Sequence, residues 1–191
     1  MLSPMCEPIT TTQDMCVDRR IKDIIDSITQ EILDNAGITM PSQNDNLESL
    51  IQKLGGIIQV ANESLTKETA IVKCGGPFMI MLEPNTASMP RQRRRFFLAQ
   101  QIGHLYLHMG IANSEKWNKQ PDGEMIRPTT MQQTLNNNYF ASALLMPKRE
   151  FLAAVKRFSD GAKVDTAKIA EYFDVTIAHA SQRGKQLGVF R

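Results

Sequence analysis

His104 and His108 stand four residues apart inside a stretch with helical periodicity, 90–109. Residues i and i+4 project from one face of a helix, so the two imidazoles face the same way. Such a pair is suited to hold a metal ion if a third ligand comes from elsewhere. The polar loop that follows supplies two carboxylates for that purpose, Glu115 and Glu124. Leu105 follows His104, so a metal held there would have no base beside its first ligand. The competing reading is plainer: His104 packs or hydrogen-bonds inside the protein without binding anything. The third histidine of the chain, His179, lies late in the sequence without a partner nearby and reads as a surface or core residue.

The elements that must position these residues follow from periodicity. Ile21, Ile24, Ile25, Ile28, Ile32 and Leu33 recur at helical spacing from Asp18, and Gly37 is a stop signal. A second helix spans about 46–54 and ends at Gly55-Gly56. Three short apolar runs follow, 57–60, 70–73 and 78–82. Gly75-Gly76-Pro77 marks a turn between the last two, so these are strands of a small antiparallel sheet. The long helix 90–109 carries the histidines. The segment 111–130 holds Pro121, Gly123 and Pro128 and reads as a loop. Helices are expected over 134–146, 150–158, 166–173 and 175–187. The fold class is therefore α+β: a three-stranded antiparallel sheet packed with helices, and a helical C-terminal segment. The divisions expected are an N-terminal arm over 1–17, a main domain over 18–158, and a segment over 159–191 packing on it.

Composition narrows the function. With 191 residues, 42% apolar and 22% charged, the chain can bury a substantial core. A net charge of +2 is too small to imply nucleic acid or membrane binding by itself. Three cysteines, at 6, 16 and 74, form neither a paired framework nor a C-x-x-C metal site, which points to a reducing compartment. Without a signal peptide or a membrane-length apolar run, the expected location is the cytoplasm.

Two segments carry a resemblance. The first, Arg93-Arg94-Arg95-Phe96-Phe97-Leu98-Ala99-Gln100-Gln101-Ile102-Gly103-His104-Leu105-Tyr106-Leu107-His108, resembles the zinc helix of the ImmA/IrrE metallopeptidase family, roughly R-x-R-F-x-x-A-H-E-x-G-H-x-x-x-H. The second, Asn136-Asn137-Asn138-Tyr139-Phe140-Ala141-Ser142-Ala143-Leu144-Leu145-Met146-Pro147, resembles that family's E-A-N-x-F-A-x-x-L-L-M-P. Order and spacing also agree, over about residues 20–155. The resemblance implies a zincin-like scaffold. In H-E-x-x-H, two histidines and a Glu from the next helix hold zinc, and the Glu beside the first His is the general base.

This sequence departs at the positions that perform the chemistry. Gln100 stands at the first ligand position, Gln101 at the general base and Asn136 at the third ligand; His104 alone keeps its residue type. An amide oxygen is a weak, neutral ligand, and an amide accepts no proton near neutral pH. The resemblance therefore implies the scaffold with zinc-dependent hydrolysis lost. A cofactor is not expected, zinc remaining the alternative. Relatives of this kind control helix-turn-helix repressors in phages and mobile elements or act in toxin–antitoxin-like pairs. The expectation is a regulatory protein that binds a protein partner of that kind. The alternatives are an active zinc endopeptidase with relocated ligands and a DNA-binding regulator.

Three further features bear on these alternatives. Trp117, in the loop between the two motif helices, either lines a partner-binding cleft together with Tyr106 or plugs it. Arg91, Arg93, Arg94 and Arg95 form a basic run that meets an acidic partner or is a solvated face. The tail 166–183 resembles a helix-turn-helix, and residues 148–191 hold nine lysines and arginines against five carboxylates. Arg183 and Lys185 are the candidate nucleic acid contacts there, against a packing role for the same helices.

Overall fold

The computed structural model describes residues 17–41, 47–61, 69–123, 125–126, 130–160 and 163–190. The arm expected over 1–17 lies outside them except for Val17, which is buried. Helix α1 spans Arg19–Ala36. Its start is set by Asp18, whose side chain accepts from the Arg20 N–H at 2.8 Å. It ends at Gly37, which takes the left-handed conformation that a β-carbon disfavours (φ 64°), and the amides of Gly37 and Ile38 close onto Asp34 and Leu33. Ile25, Thr29, Ile32 and Leu33 form the buried face. Helix α2 (Leu47–Lys53) follows, then the strands β1 (Gly56–Val60), β2 (Thr69–Lys73) and β3 (Phe78–Leu82).

The sheet corrects the antiparallel expectation. It is mixed and four-stranded, in the order β1-β3-β2-β4, where β4 is the short Met125–Ile126. β2 pairs antiparallel with β3 and with β4, but β1 runs parallel to β3. β3 takes the inner position because it is apolar on both faces. Phe78, Ile80 and Leu82 are buried, while Met79 and Met81 on the other face are half-buried. The inward side chains join Ile25, Leu50, Ile51, Leu98, Ile102 and Phe140 in one core.

Past the short α3 (Pro84–Ala87) comes α4 (Arg91–His104), which continues into a π-helical turn over Leu105–Met109. Gly110 ends it in the left-handed conformation. The expected loop 111–130 contains the short α5 (Ser114–Asn118) and β4. Helix α6 (Met131–Leu145) starts at a capping box, Thr130 with Gln133, and packs along α4. Gly103 permits the contact: a β-carbon there would stand 3.0 Å from the Phe140 ring. Helices α7 (Lys148–Arg157), α8 (Thr166–Phe173) and α9 (Ile177–Gln186) complete the described chain. No helix among the described residues is long and apolar enough to cross a membrane.

Two buried arginines tie the last helices to α1 and α4. Arg183 of α9 has no exposed side-chain surface. It donates to the Met146 carbonyl at 3.0 Å and to Asp26 of α1 at 2.8 Å, and lies against the Tyr139 ring. Tyr139 donates its hydroxyl to the other oxygen of Asp26 at 3.0 Å. Arg95 of α4 donates to the carbonyls of Phe173 and Asp174 and to the Asp174 carboxylate. Asp174 ends α8 in the left-handed region, and the arginine holds that turn. Removing one partner of a buried pair strands the other charge. Asp26→Ala is therefore expected to lower stability by about 3 kcal/mol, whereas Lys185→Ala at an exposed position should stay within about 0.5 kcal/mol, both read by urea unfolding.

Candidate functional site

The site is the face of α4 turned toward α6. Helical spacing places Gln100, Gln101, His104 and His108 along this face. Opposite them α6 presents Asn136, Asn137 and Asn138. Gln101 and His104 are 5% and 2% exposed, and Asn137 is 2% exposed. The rings of His104 and His108 lie 5.4 Å apart, centroid to centroid.

Polar atoms here are buried without partners. Both ring nitrogens of His104 and Gln101 Oε1 make no hydrogen bond among the described residues. Buried polar groups normally have a partner, so these atoms are open to a further donor or acceptor such as water. The imidazoles are kept neutral. His104 is pushed down to about 4, first by burial and then by the neighbouring His108. His108 is also lowered by burial, with the Asn137 side chain and the Gln133 backbone pulling the other way.

The three substituted positions are differently engaged. Gln100 donates its amide to Asn138 Oδ1, joining the two helices directly. Asn136 accepts from Gln132 of its own helix at 3.0 Å, on the surface side, and Asn137 is the asparagine that enters the α4 interface. The candidate third-ligand position is thus half-buried and bonded along its own helix, and the fully buried asparagine is one position later. Three consecutive asparagines give no residue-type signal to separate them.

The donor set does not fit a hydrolytic zinc. Two imidazoles and neutral amides meet here, and among the described residues no group of three His, Cys, Asp or Glu side chains converges. Glu115 is exposed and pairs with Lys119 at 2.7 Å, so it does not approach the histidines. Glu124 lies outside the described residues. At the general-base position Gln101 has no carboxylate to take a proton.

Trp117 is buried rather than presented. Its indole donates to the Gly76 carbonyl at 2.9 Å, its ring meets Phe78 edge-on, and Lys73 lies over it. Lys73 is itself buried, donating to the Gln120 carbonyl and pairing with Asp122, which in turn accepts from the Gly75 amide. The loop is thereby fastened to the β2–β3 turn, and the tryptophan serves as its anchor. Tyr106 is half-buried against Phe140, 6.3 Å between ring centres, and burial raises its pKa.

Three arginines of the basic run pair with carboxylates of the same chain, and of the run Arg95 is buried. Arg94 pairs with Glu48, and Arg91 and Arg95 both pair with Asp174. His179 stacks on Phe96 at 3.7 Å and is held below its ordinary pKa by burial and by Arg93. Arg183 is enclosed and reaches no phosphate in this fold; Lys185 is exposed on α9.

Acidification tests the site. The unfolded chain protonates His104 near 6.5, the folded chain only near 4. Between these values the unfolded state binds the extra proton, so stability falls as pH drops through that window and loses nothing further below it. His104→Gln should flatten that slope in melting temperature against pH. A proton NMR titration placing the His104 midpoint at 6.5 would contradict the burial described.

No curated protein matches the chain. Among solved structures, a Mycobacterium tuberculosis transcriptional regulator shares the fold with a TM-score of 0.54 at 16% sequence identity. The match covers 87% of this chain and 47% of that one, so the chain spans about half the length of that structure. The model of the IrrE N-terminal-like domain, a peptidase family, matches residues 79–184. That span holds both motif helices and the tail fastened to them, and the chain belongs to the IrrE N-terminal-like family.

Proposed function

We propose that this protein is a regulatory member of its family that binds a protein partner through the old peptidase scaffold without hydrolysing it. The observation that carries the reading is the buried amide of Gln101 at the general-base position, beside a Gln100 already tied to Asn138. No proton acceptor stands where water would be activated, and the first ligand position is committed to helix–helix contact. One solved structure that shares the fold is a transcriptional regulator, which supports a regulatory setting. The resemblance to family members that act on helix-turn-helix repressors supports a protein partner of that chemistry. A DNA-binding role through the tail has less support, since Arg183 is enclosed.

Two experiments test this. Co-expression with helix-turn-helix regulators encoded beside this protein should yield a complex in which mass spectrometry finds the regulator intact. Cleaved regulator would refute the loss of hydrolysis, and the absence of any complex would refute the binding role. Separately, Gln100→His, Gln101→Glu and Asn136→Glu together should raise zinc content toward one ion per chain after dialysis. Failure of that variant to gain zinc, with its fold retained, would show that residue 136 does not reach the site and that Asn137→Glu is the change to make.

A further inference from the structure

Residues 110–123 lead from the π-helical turn that carries His108 toward β4 and bury little of themselves. Residues 112–116, 118, 119 and 121–123 are exposed, and Trp117 is the one buried residue of the segment. A segment with so few apolar contacts lies at the low end of local stability. Both ends are glycines in the left-handed conformation, Gly110 at φ 73° and Gly123 at φ 75°. Glycine rotates there without the steric cost of a β-carbon, which suits a hinge. What fastens the segment converges on one side chain. Lys73 is 4% exposed; its amine donates to the Gln120 carbonyl at 3.1 Å, pairs with Asp122 at 3.2 Å and lies over the Trp117 ring. The Lys73 carbonyl accepts from the Gly123 amide at 2.9 Å. The adjoining turn adds the Gly76 carbonyl, which accepts from the Trp117 indole, and the Gly75 amide, which donates to Asp122.

Gln120 joins this latch to the histidine turn. Its carbonyl accepts from Lys73, while its side-chain amide donates to the Met109 carbonyl at 3.1 Å. Met109 closes the π-helical turn directly after His108, and the Ile111 amide bonds back to Leu105 of the same turn at 3.1 Å. We infer that residues 110–123 form a strap, hinged at Gly110 and Gly123 and latched by Lys73, whose release loosens the turn of His108 and admits solvent to the histidines. The fasteners let go together because they share one amine. Without it the Gln120 carbonyl and Asp122 lose their common donor, and Trp117 loses the cation over its ring. His108 then depends on its bonds to α6, at the Asn137 side chain and the Gln133 backbone. A molecule that takes the Gly76 carbonyl or the Gly75 amide competes with the strap for the same groups, so binding at the β2–β3 turn is felt at the histidines. The device is independent of whether a bound partner is cut or held.

Native-state hydrogen exchange on the full chain, resolved by residue with NMR, tests this. In the wild type the hydrogen-bonded amides of Ile111, Trp117, Gln120 and Gly123 should share one protection factor, about tenfold or more below that of the α6 amides. Lys73→Met keeps the length of the side chain and removes the amine. It should lower those protection factors together by about tenfold or more, leave α6 unchanged, and speed carbethoxylation of His108 by diethyl pyrocarbonate to a similar degree. Gln120→Ala cuts the link to Met109 and keeps the latch, so it should lower protection at Ile111 and leave Gly123 near its wild-type value. Unrelated protection among these amides in the wild type overturns the strap as one unit. Loss of protection in α6 in step with them shows general destabilisation and overturns the latch. So does a Lys73→Met protein whose His108 reacts no faster than in the wild type.

Discussion

Gly103 lets α4 settle so close to Phe140 of α6 that a single added methyl would stand 3.0 Å from the ring. The innermost polar groups on the facing surfaces are consequently sealed in. Gln101, His104 and Asn137 lose water, and several of their atoms receive no hydrogen bond in exchange. Burying a charge in such a place costs far more than burying a neutral amide. A zinc ion would offset carboxylates there, since its charge balances theirs; without it, two glutamates between these helices would be unpaired anions. The residues present are Gln, Gln and Asn at the family's His, Glu and Glu positions, with imidazoles held neutral by burial. The site is thus uncharged throughout, which is the state the close helix contact demands when no metal ion balances the charge.

The same constraint on charge governs the rest of the molecule. Arginines that read as a basic surface serve specific internal acceptors. Arg95 holds the turn after α8, Arg91 shares the same Asp174, and Arg183 lies between Asp26, Tyr139 and the Met146 carbonyl. The last of these explains part of the second motif. Pro147 follows Met146 and carries no N–H, so the chain cannot continue the helix through it. The carbonyl left at the helix end must find another donor. Arg183 is that donor, reaching from α9, and the Leu-Leu-Met-Pro ending of α6 is completed by a residue far along the chain.

What is legible in the sequence follows how local each determinant is. The cap at Asp18, the stop at Gly37 and the apolar alternation of 78–82 act within a few residues, and the helices and strands stand within a few residues of where periodicity places them. The two motif segments locate the facing helices. Parallel pairing of β1 with β3 is not legible, because two strands joined by short connections look like a meander until a third is inserted between them. Arg183 reads as a nucleic acid contact because a cation in a basic tail shows nothing of its burial. Asn136, Asn137 and Asn138 differ only by rotation about the helix axis, and a shift of about 100° per residue decides which of them enters the site.

The helix-turn-helix-like tail illustrates how far a local pattern constrains function. Helices α8 and α9 have the expected short turn, with Thr176 capping α9 through its hydroxyl. A unit that reads DNA must present one helix freely to a groove. Here α9 turns Arg183 inward, stacks His179 on Phe96 of α4 and has its preceding turn fixed by Arg95, leaving Ile177, Ala178, Gln182 and Lys185 outside. A single lysine among apolar and neutral residues gives little of the phosphate attraction on which such binding rests. The outer face of α9 is instead weakly charged and partly apolar, with Ile177 58% exposed. In chemical terms it suits a protein surface better than a polyanion, in line with the partner-binding role proposed above.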